Sequence, residues 1–225
     1  MGLYVHDVRW LYQEAAFSRM LGFVDENRRV KARSYRFVKD RALSLGAGLL
    51  LNYAYGRLLP TGAWPSDMHF NDYGKPFWAE GGAPGFNLSH AGIYVACAIG
   101  SGPVGVDIEE VGEKDENLTR RCFVGTELPQ ILSEGQVMEE AFCRHWVLKE
   151  SYVKFLGAGL SLDPLRIEIL IDQGIRLRQD GLEQACSLAL YEELPGYKLA
   201  LCRQGGQPEE RLEVVTEKDL RAGLA

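Results

Sequence analysis

The sequence predicts an α+β fold of two similar-sized lobes, each a small, mainly antiparallel sheet packed with helices. Two observations carry this. Both halves mix a few helical stretches with short strand-like ones, instead of alternating strand and helix as a doubly wound parallel sheet does. The strand candidates are also bounded by Gly- and Pro-rich turns. Composition fits an ordinary globular protein: 46% hydrophobic and 25% charged over 225 residues, enough for a real core and unlike disordered or collagen-like chains. No short-period repeat or low-complexity tract is visible.

In chain order, Gly2–Val8 alternates and reads as an opening strand. Trp10–Leu21 reads as a helix and Glu26–Arg36 as a basic one. Lys39–Leu59 is a long apolar helix, so it is expected to be buried. Gly46 and Gly48 inside it cost helix stability, so they predict close packing. Pro60, Gly62 and Pro65 are expected to end it. His69–Asn71 and Phe86–Ser89 are short strands. Ile93–Ile99 and the alternating Val104–Val111 flank Gly100-Ser101-Gly102-Pro103 and read as two strands joined by a tight turn. Helices follow at Glu116–Phe123, Glu127–Ser133 and Val137–Leu156, then strands near Arg166–Ile171, Ser187–Tyr191, Tyr197–Cys202 and Leu212–Val215. The lobe boundary falls near Gly102, giving an N-terminal lobe of 1–102 and a C-terminal lobe of 103–225.

No apolar stretch is long enough to span a bilayer, and the N-terminus lacks a basic segment followed by an apolar run, so no signal peptide is expected. The five cysteines are scattered without a C-x-x-C, which predicts reduced thiols and a cytoplasmic protein. Charge is uneven: residues 1–104 carry +3 and residues 105–225 carry −9. Arg28, Arg29, Lys31, Arg33, Arg36, Lys39 and Arg41 crowd into 28–41. Such a run is either a solvated helix face or a phosphate site. A nucleic-acid surface is disfavoured, because the protein is acidic overall and aromatics do not interleave with the basic residues.

Three further groups could carry chemistry. Asp107 and Glu109, two apart on a strand, share one face about 7 Å apart. Paired carboxylates of this kind suit Mg²⁺ with substrate phosphate, or belong to a solvated edge strand. Glu150 and Lys154 share a helix face, as a surface ion pair or as a metal carboxylate beside a phosphate-binding lysine. Ser89 and His90 form no nucleophile elbow; His90 is structural or a hydrogen-bond donor to phosphate. Walker, dinucleotide-binding and H-E-x-x-H motifs are missing.

Taken together, Gly74-Lys75-Pro76, Phe86-Asn87-Leu88-Ser89-His90, Gly105-Val106-Asp107-Ile108-Glu109 and Trp146-Val147-Leu148-Lys149-Glu150-Ser151-Tyr152-Val153-Lys154 resemble, in order, the motifs of the 4′-phosphopantetheinyl transferases of the longer, surfactin-synthetase-activating class. The last fits W-x-x-K-E-[SA]-x-x-K at every fixed position. The resemblance implies two pseudo-twofold-related α+β lobes with coenzyme A between them. It implies transfer of the phosphopantetheine arm to a serine of an apo acyl or peptidyl carrier protein, with release of adenosine 3′,5′-bisphosphate. Asp107, Glu109 and Glu150 would hold Mg²⁺, with Mn²⁺ as an alternative. Lys154 would bind pyrophosphate. Lys75, Ser89 and His90, with Arg28, Lys31 and Arg41 from the basic run, would contact coenzyme A phosphates. Glu150 or Glu127 would take the serine proton. Trp146 is assigned to packing. One site with both halves in a single chain implies a monomer, and the class points to secondary metabolism.

Overall fold

A computed structural model describes residues 1–59, 68–79, 83–113, 116–133, 138–205 and 211–224. The expected helix terminators Pro60, Gly62 and Pro65, and the expected helix start at Val137, lie outside them. In chain order the elements are β1 (Gly2–Asp7), α1 (Glu14–Met20), α2 (Glu26–Ser34), α3 (Val38–Leu58), β2 (Met68–Phe70), β3 (Pro76–Trp78), β4 (Gly85–Ala91), β5 (Tyr94–Gly100) and β6 (Val104–Glu110). Then come α4 (Glu116–Cys122), α5 (Glu127–Ser133), α6 (Met138–Leu156), β7 (Ile167–Ile171), β8 (Ile175–Gln179), β9 (Leu182–Glu183), β10 (Cys186–Tyr191), β11 (Tyr197–Gln204), β12 (Leu212–Val215) and α7 (Glu217–Gly223). The expected single helix over Trp10–Leu21 is broken. A 3₁₀ turn at Arg9–Tyr12 precedes α1, and another at Leu21–Phe23 follows it.

Two sheets organise the molecule, in the orders β12-β1-β5-β4 and β10-β11-β6. Strand alternation assigns their faces. Val95, Cys97 and Ile99 of β5 pack with α3, while Ala96 and Ala98 point the other way, into a core shared with Val104, Val106 and Ile108 of β6 and Leu199 and Leu201 of β11. Burial on both faces explains why β5 is apolar throughout. Ala200 and Cys202 of β11 face α6. A long helix thus covers the outer face of each sheet, α3 on one and α6 on the other.

The expected tight hairpin between β5 and β6 does not form. Both edges of β5 are occupied, by β1 and β4, and β6 pairs with β11. The Gly100–Pro103 turn carries the chain from one sheet to the other. Gly46 and Gly48 do serve close packing: a Cβ on Gly46 would lie 2.4 Å from Val8 Cγ1, and one on Gly48 3.0 Å from Arg28 Cγ. The C-terminal lobe does not run to the chain's end. β12 pairs parallel with β1, and Val215 and Leu220 join the core around α3. Residues 212–224 therefore pack with the N-terminal lobe, correcting the 103–225 assignment.

His6, 1% exposed, fastens this return. Indole N–H can only donate, so Trp10 Nε1 (2.8 Å) makes His6 Nε2 the acceptor, and Nδ1–H donates to the Val215 carbonyl at 2.7 Å. Burial lowers the His6 pKa, opposed by the Val215 carbonyl and the charges of Asp7 and Glu217. The folded state thus favours neutral His6. Its contribution is fully present above the ordinary histidine range and is lost as pH falls through the lowered value. Thermal melts from pH 7.5 down to 5 should show Tm falling in the wild type, with a shallower slope in His6→Gln. Equal slopes would remove His6 from the acid response.

Candidate active site

β4, β6 and α6 converge at the junction of the two sheets. β4 and β6 run side by side without main-chain pairing, and side chains of β4 bridge them. Asn87 Oδ1 accepts the Val106 N–H at 2.9 Å, and Ser89 Oγ accepts that of Ile108 at 3.4 Å. Alternation turns Gly105 and Asp107 away from the shared core, toward α6. Gly105 lets that helix descend: a Cβ there would lie 2.0 Å from the Ser151 carbonyl oxygen and 2.3 Å from Phe155 N.

This approach brings Lys154 onto Asp107. Lys154 Nζ donates to Asp107 Oδ1 at 2.6 Å and to Ser89 Oγ at 2.8 Å, and Ser89 Oγ donates in turn to Asp107 Oδ1 at 2.8 Å. Asp107 is only 4% exposed, so the solvated edge-strand alternative is excluded. Its Oδ2 is buried and lacks a hydrogen-bond partner among the described residues. Glu150, one helical turn before Lys154, has its pKa raised by burial and by the Asp107 charge, with Lys154 pulling the other way. Asp107 thus holds the Lys154 ammonium, Glu150 feels that ammonium through its charge, and a buried Asp107 oxygen is left over.

Among the described residues no three His, Cys, Asp or Glu side chains form a group that could hold a metal ion. The Asp107, Glu109 and Glu150 triad is therefore not assembled as a closed cage. Glu109 lies two residues further along β6, partly exposed, and its cross-strand neighbour is Lys198.

Beside this cluster lies a cavity of about 290 Å³ between α2, α3, the β2–β3 hairpin and β4. Arg28, Lys31 and His90, three of the residues read in the sequence as phosphate contacts, line it. Burial lowers the Arg28 pKa. That of His90 is lowered by the protein around it and by the charges of Lys154 and Lys31, against its backbone hydrogen bond and the charge of Asp40. Ser44 and Tyr35 also line the cavity and were not foreseen. Ser44 Oγ is buried without a partner among the described residues. A lone hydroxyl in the apolar run Ala42–Leu51 was its only signal in the sequence.

Three expected site residues point elsewhere. Asp40 lines the cavity, but Arg41 is one residue on, about 100° around the helix. Its guanidinium pairs with Glu14 at 3.2 Å and stacks on Phe17. The Lys75 ammonium donates to the carbonyls of Val104, Lys154 and Phe155, while its neighbours Gly74 and Pro76 line the cavity. Burial lowers its pKa to about 8. Glu127 is 0% exposed and does not join the cluster. Its carboxylate meets Lys149 Nζ at 2.8 Å and accepts the N–H groups of Ile169 and Val124. Burial pushes Glu127 up and Lys149 down in pKa, each opposing the other's shift. Lys149 also donates to the carbonyls of Cys122 and Pro164. Trp146 packs on Phe123 and Phe142.

Residues 103–202 match the profile of the 4′-phosphopantetheinyl transferase superfamily. The chain is 29% identical to 4′-phosphopantetheinyl transferase Sfp of Bacillus subtilis (strain 168), covering 90% of this chain and 92% of that one. It is 30% identical to 4′-phosphopantetheinyl transferase ffp of Bacillus subtilis, over 89% and 90%. Thermotoga maritima holo-[acyl-carrier-protein] synthase, a solved structure, matches 44% of this chain and 61% of its own, at 22% identity and a TM-score of 0.37. The chain belongs to the 4′-phosphopantetheinyl transferase family. It is an enzyme of that class.

Removing one partner of a buried ion pair typically costs about 3–5 kcal/mol. Glu127→Gln and Lys149→Met should each lose about that much stability in urea denaturation, and Glu127→Leu/Lys149→Met less than the sum. A Glu127→Gln protein of unchanged stability whose kcat fell by orders of magnitude would restore Glu127 as a reacting group.

Proposed function

We propose that this enzyme transfers the 4′-phosphopantetheine arm of coenzyme A to a serine hydroxyl of an apo acyl or peptidyl carrier protein, releasing adenosine 3′,5′-bisphosphate. The observation that carries the reading is the Asp107–Ser89–Lys154 cluster opening beside a cavity lined by Arg28, Lys31 and His90. Cations on the cavity side suit the phosphates of coenzyme A. The acid cluster beside the cavity is where the coenzyme A pyrophosphate would meet the carrier serine. The chain reads as two lobes, with coenzyme A held at their junction.

The donor set fits Mg²⁺, or Mn²⁺ in its place. The Asp107 Oδ2 is buried without a partner among the described residues, and Glu150 is raised in pKa beside Asp107. A hard cation with oxygen ligands would relieve both. Asp107 and Glu150 would hold it, with Glu109 as the third carboxylate. When bound, it neutralises charge on the pyrophosphate.

The serine oxygen attacks the β-phosphorus. The bond from that phosphorus to the bridging oxygen breaks, and the electron pair leaves with adenosine 3′,5′-bisphosphate. Lys154 would hold a pyrophosphate oxygen and offset the charge that develops. Ser89 fixes Asp107 and Lys154 relative to each other. Glu150, the carboxylate that stands beside Asp107 at the cluster, would accept the serine proton. Among the described residues no helix is long and apolar enough to cross a membrane. We read the enzyme as a cytoplasmic monomer without a nucleic-acid partner, serving secondary metabolism.

Intact mass of purified apo carriers tests this. Incubation with enzyme, coenzyme A and Mg²⁺ should add one phosphopantetheine, and EDTA should prevent it. Asp107→Ala should remain folded by circular dichroism and lose transfer by at least about 100-fold, the scale of deleting a transition-state contact. Near-normal turnover in folded Asp107→Ala would remove Asp107 from the site. Release of free phosphopantetheine without a protein acceptor would indicate a hydrolase.

A further inference from the structure

The β2–β3 hairpin is clasped to the C-terminal end of α6. Lys75 Nζ donates to Val104 O at 3.0 Å, to Phe155 O at 3.1 Å and to Lys154 O. An ammonium has three N–H donors, and these carbonyls take all of them. Two of them lie in the last turn of α6, where carbonyls lack helical partners and carry the negative end of the helix dipole. Asn71 makes a second link from the same loop. Its Nδ2–H donates to Gly157 O at 2.8 Å, while its Oδ1 accepts the N–H groups of Tyr73 and Lys75. Gly157, at φ +70°, keeps the gap narrow: a Cβ there would lie 2.9 Å from Asn71 Nδ2 and 3.1 Å from Lys75 Cδ.

The hairpin that Lys75 holds is a wall of the cavity, through Met68, Phe70, Gly74 and Pro76. The helix end that it grips belongs to the element that presents Glu150 and Lys154. Lys154 joins the two systems in one residue. Its carbonyl accepts from Lys75, and its ammonium donates to Asp107 and Ser89.

We propose that Lys75 is a positioning residue whose ammonium ties the cavity wall to the catalytic helix, fixing the distance between a ligand held in the cavity and the Asp107–Lys154 cluster. This rests on the phosphopantetheinyl-transfer reading, and gives the Lys75 side chain a task other than touching phosphate. Lys75→Met keeps the aliphatic stem and removes the donors; Asn71→Ala cuts the second link.

The test compares wild type, the two single variants and the double variant in the full chain. Hydrogen exchange without ligand should quicken by about tenfold or more at amides of 68–78 and 154–157, equivalent to at least about 1.4 kcal/mol of local opening, and stay unchanged in β1 and β5. Affinities for coenzyme A and for 3′-dephospho-coenzyme A should weaken by the same factor. The double variant should be little worse than the weaker single one, because both cut one clasp. Lys75→Arg, which keeps donors, should recover part of the loss. Unchanged hairpin exchange would overturn the proposal. So would a loss confined to coenzyme A, which would mark a direct contact with the 3′-phosphate. If Lys75→Met fails to fold, Asn71→Ala decides by the same readouts. Should the wild type bind coenzyme A yet modify no carrier, the transfer reading fails, while the exchange and affinity results still judge the clasp.

Discussion

The constraint on which the rest of the molecule depends is that β4 and β6 lie side by side and do not pair. A main-chain ladder between them would merge the two sheets into one. Instead the Asn87 amide and the Ser89 hydroxyl satisfy the N–H groups of Val106 and Ile108. The seam is thus joined by side chains in place of a main-chain ladder. It also has a polar lining in the middle of an apolar core, and such groups persist only when they are fully bonded. Asp107 hangs from this seam on the α6 side, and Ser89 serves both the Ile108 backbone and the Asp107 carboxylate. One hydroxyl therefore couples the architecture of the junction to the chemistry beside it.

α6 sorts its charges into a finished set and an unfinished one. Lys149 is wholly buried, but Glu127 and two carbonyls complete its bonding. The next residue, Glu150, stands beside Asp107, an acid already bonded to Lys154 and Ser89. A completed buried pair holds structure and does little else. An incomplete set in a poorly hydrated place shifts pKa and can accept an ion, a proton or a phosphate. The adjacent Lys149 and Glu150 differ in role because 100° of helix rotation sends one toward the α4–α5 layer and the other toward β6.

Much of this was legible in the residues. α3, α5 and α6 and strands β4, β5 and β6 announce themselves through length, periodicity and turn signals. Strand and helix spacing also place Asp107 and Gly105 on one face, and Glu150 and Lys154 on another. Partner choice was not legible. A Gly–Pro turn between two apolar strands looks the same whether it closes a hairpin or crosses between sheets, and only the occupied edges of β5 decide. The three-residue β3 is too short for a period to show, whereas β8 and α7, as long as β7 and α5, did leave signals in the alternating Ile175–Gln179 and in the Thr216 cap. Direction misled most at Arg41, Lys75 and Glu127. Their types suit the chemistry, but their aim is set by Glu14, by the end of α6 and by Lys149. These neighbours are 27, 79 and 22 positions away in the chain.

The return of β12 to β1 also orders events in time. Strand β1 leaves the ribosome well before Leu212–Val215, the strand that fills one of its edges. Until those residues emerge, the N-terminal lobe has an open sheet edge, and His6 lacks the Val215 carbonyl that its Nδ1–H meets in the finished fold. An unpaired edge is an invitation to foreign strands. The nascent chain must therefore complete its second lobe before its first can close, which makes the whole chain, and not the lobe, the unit that folds.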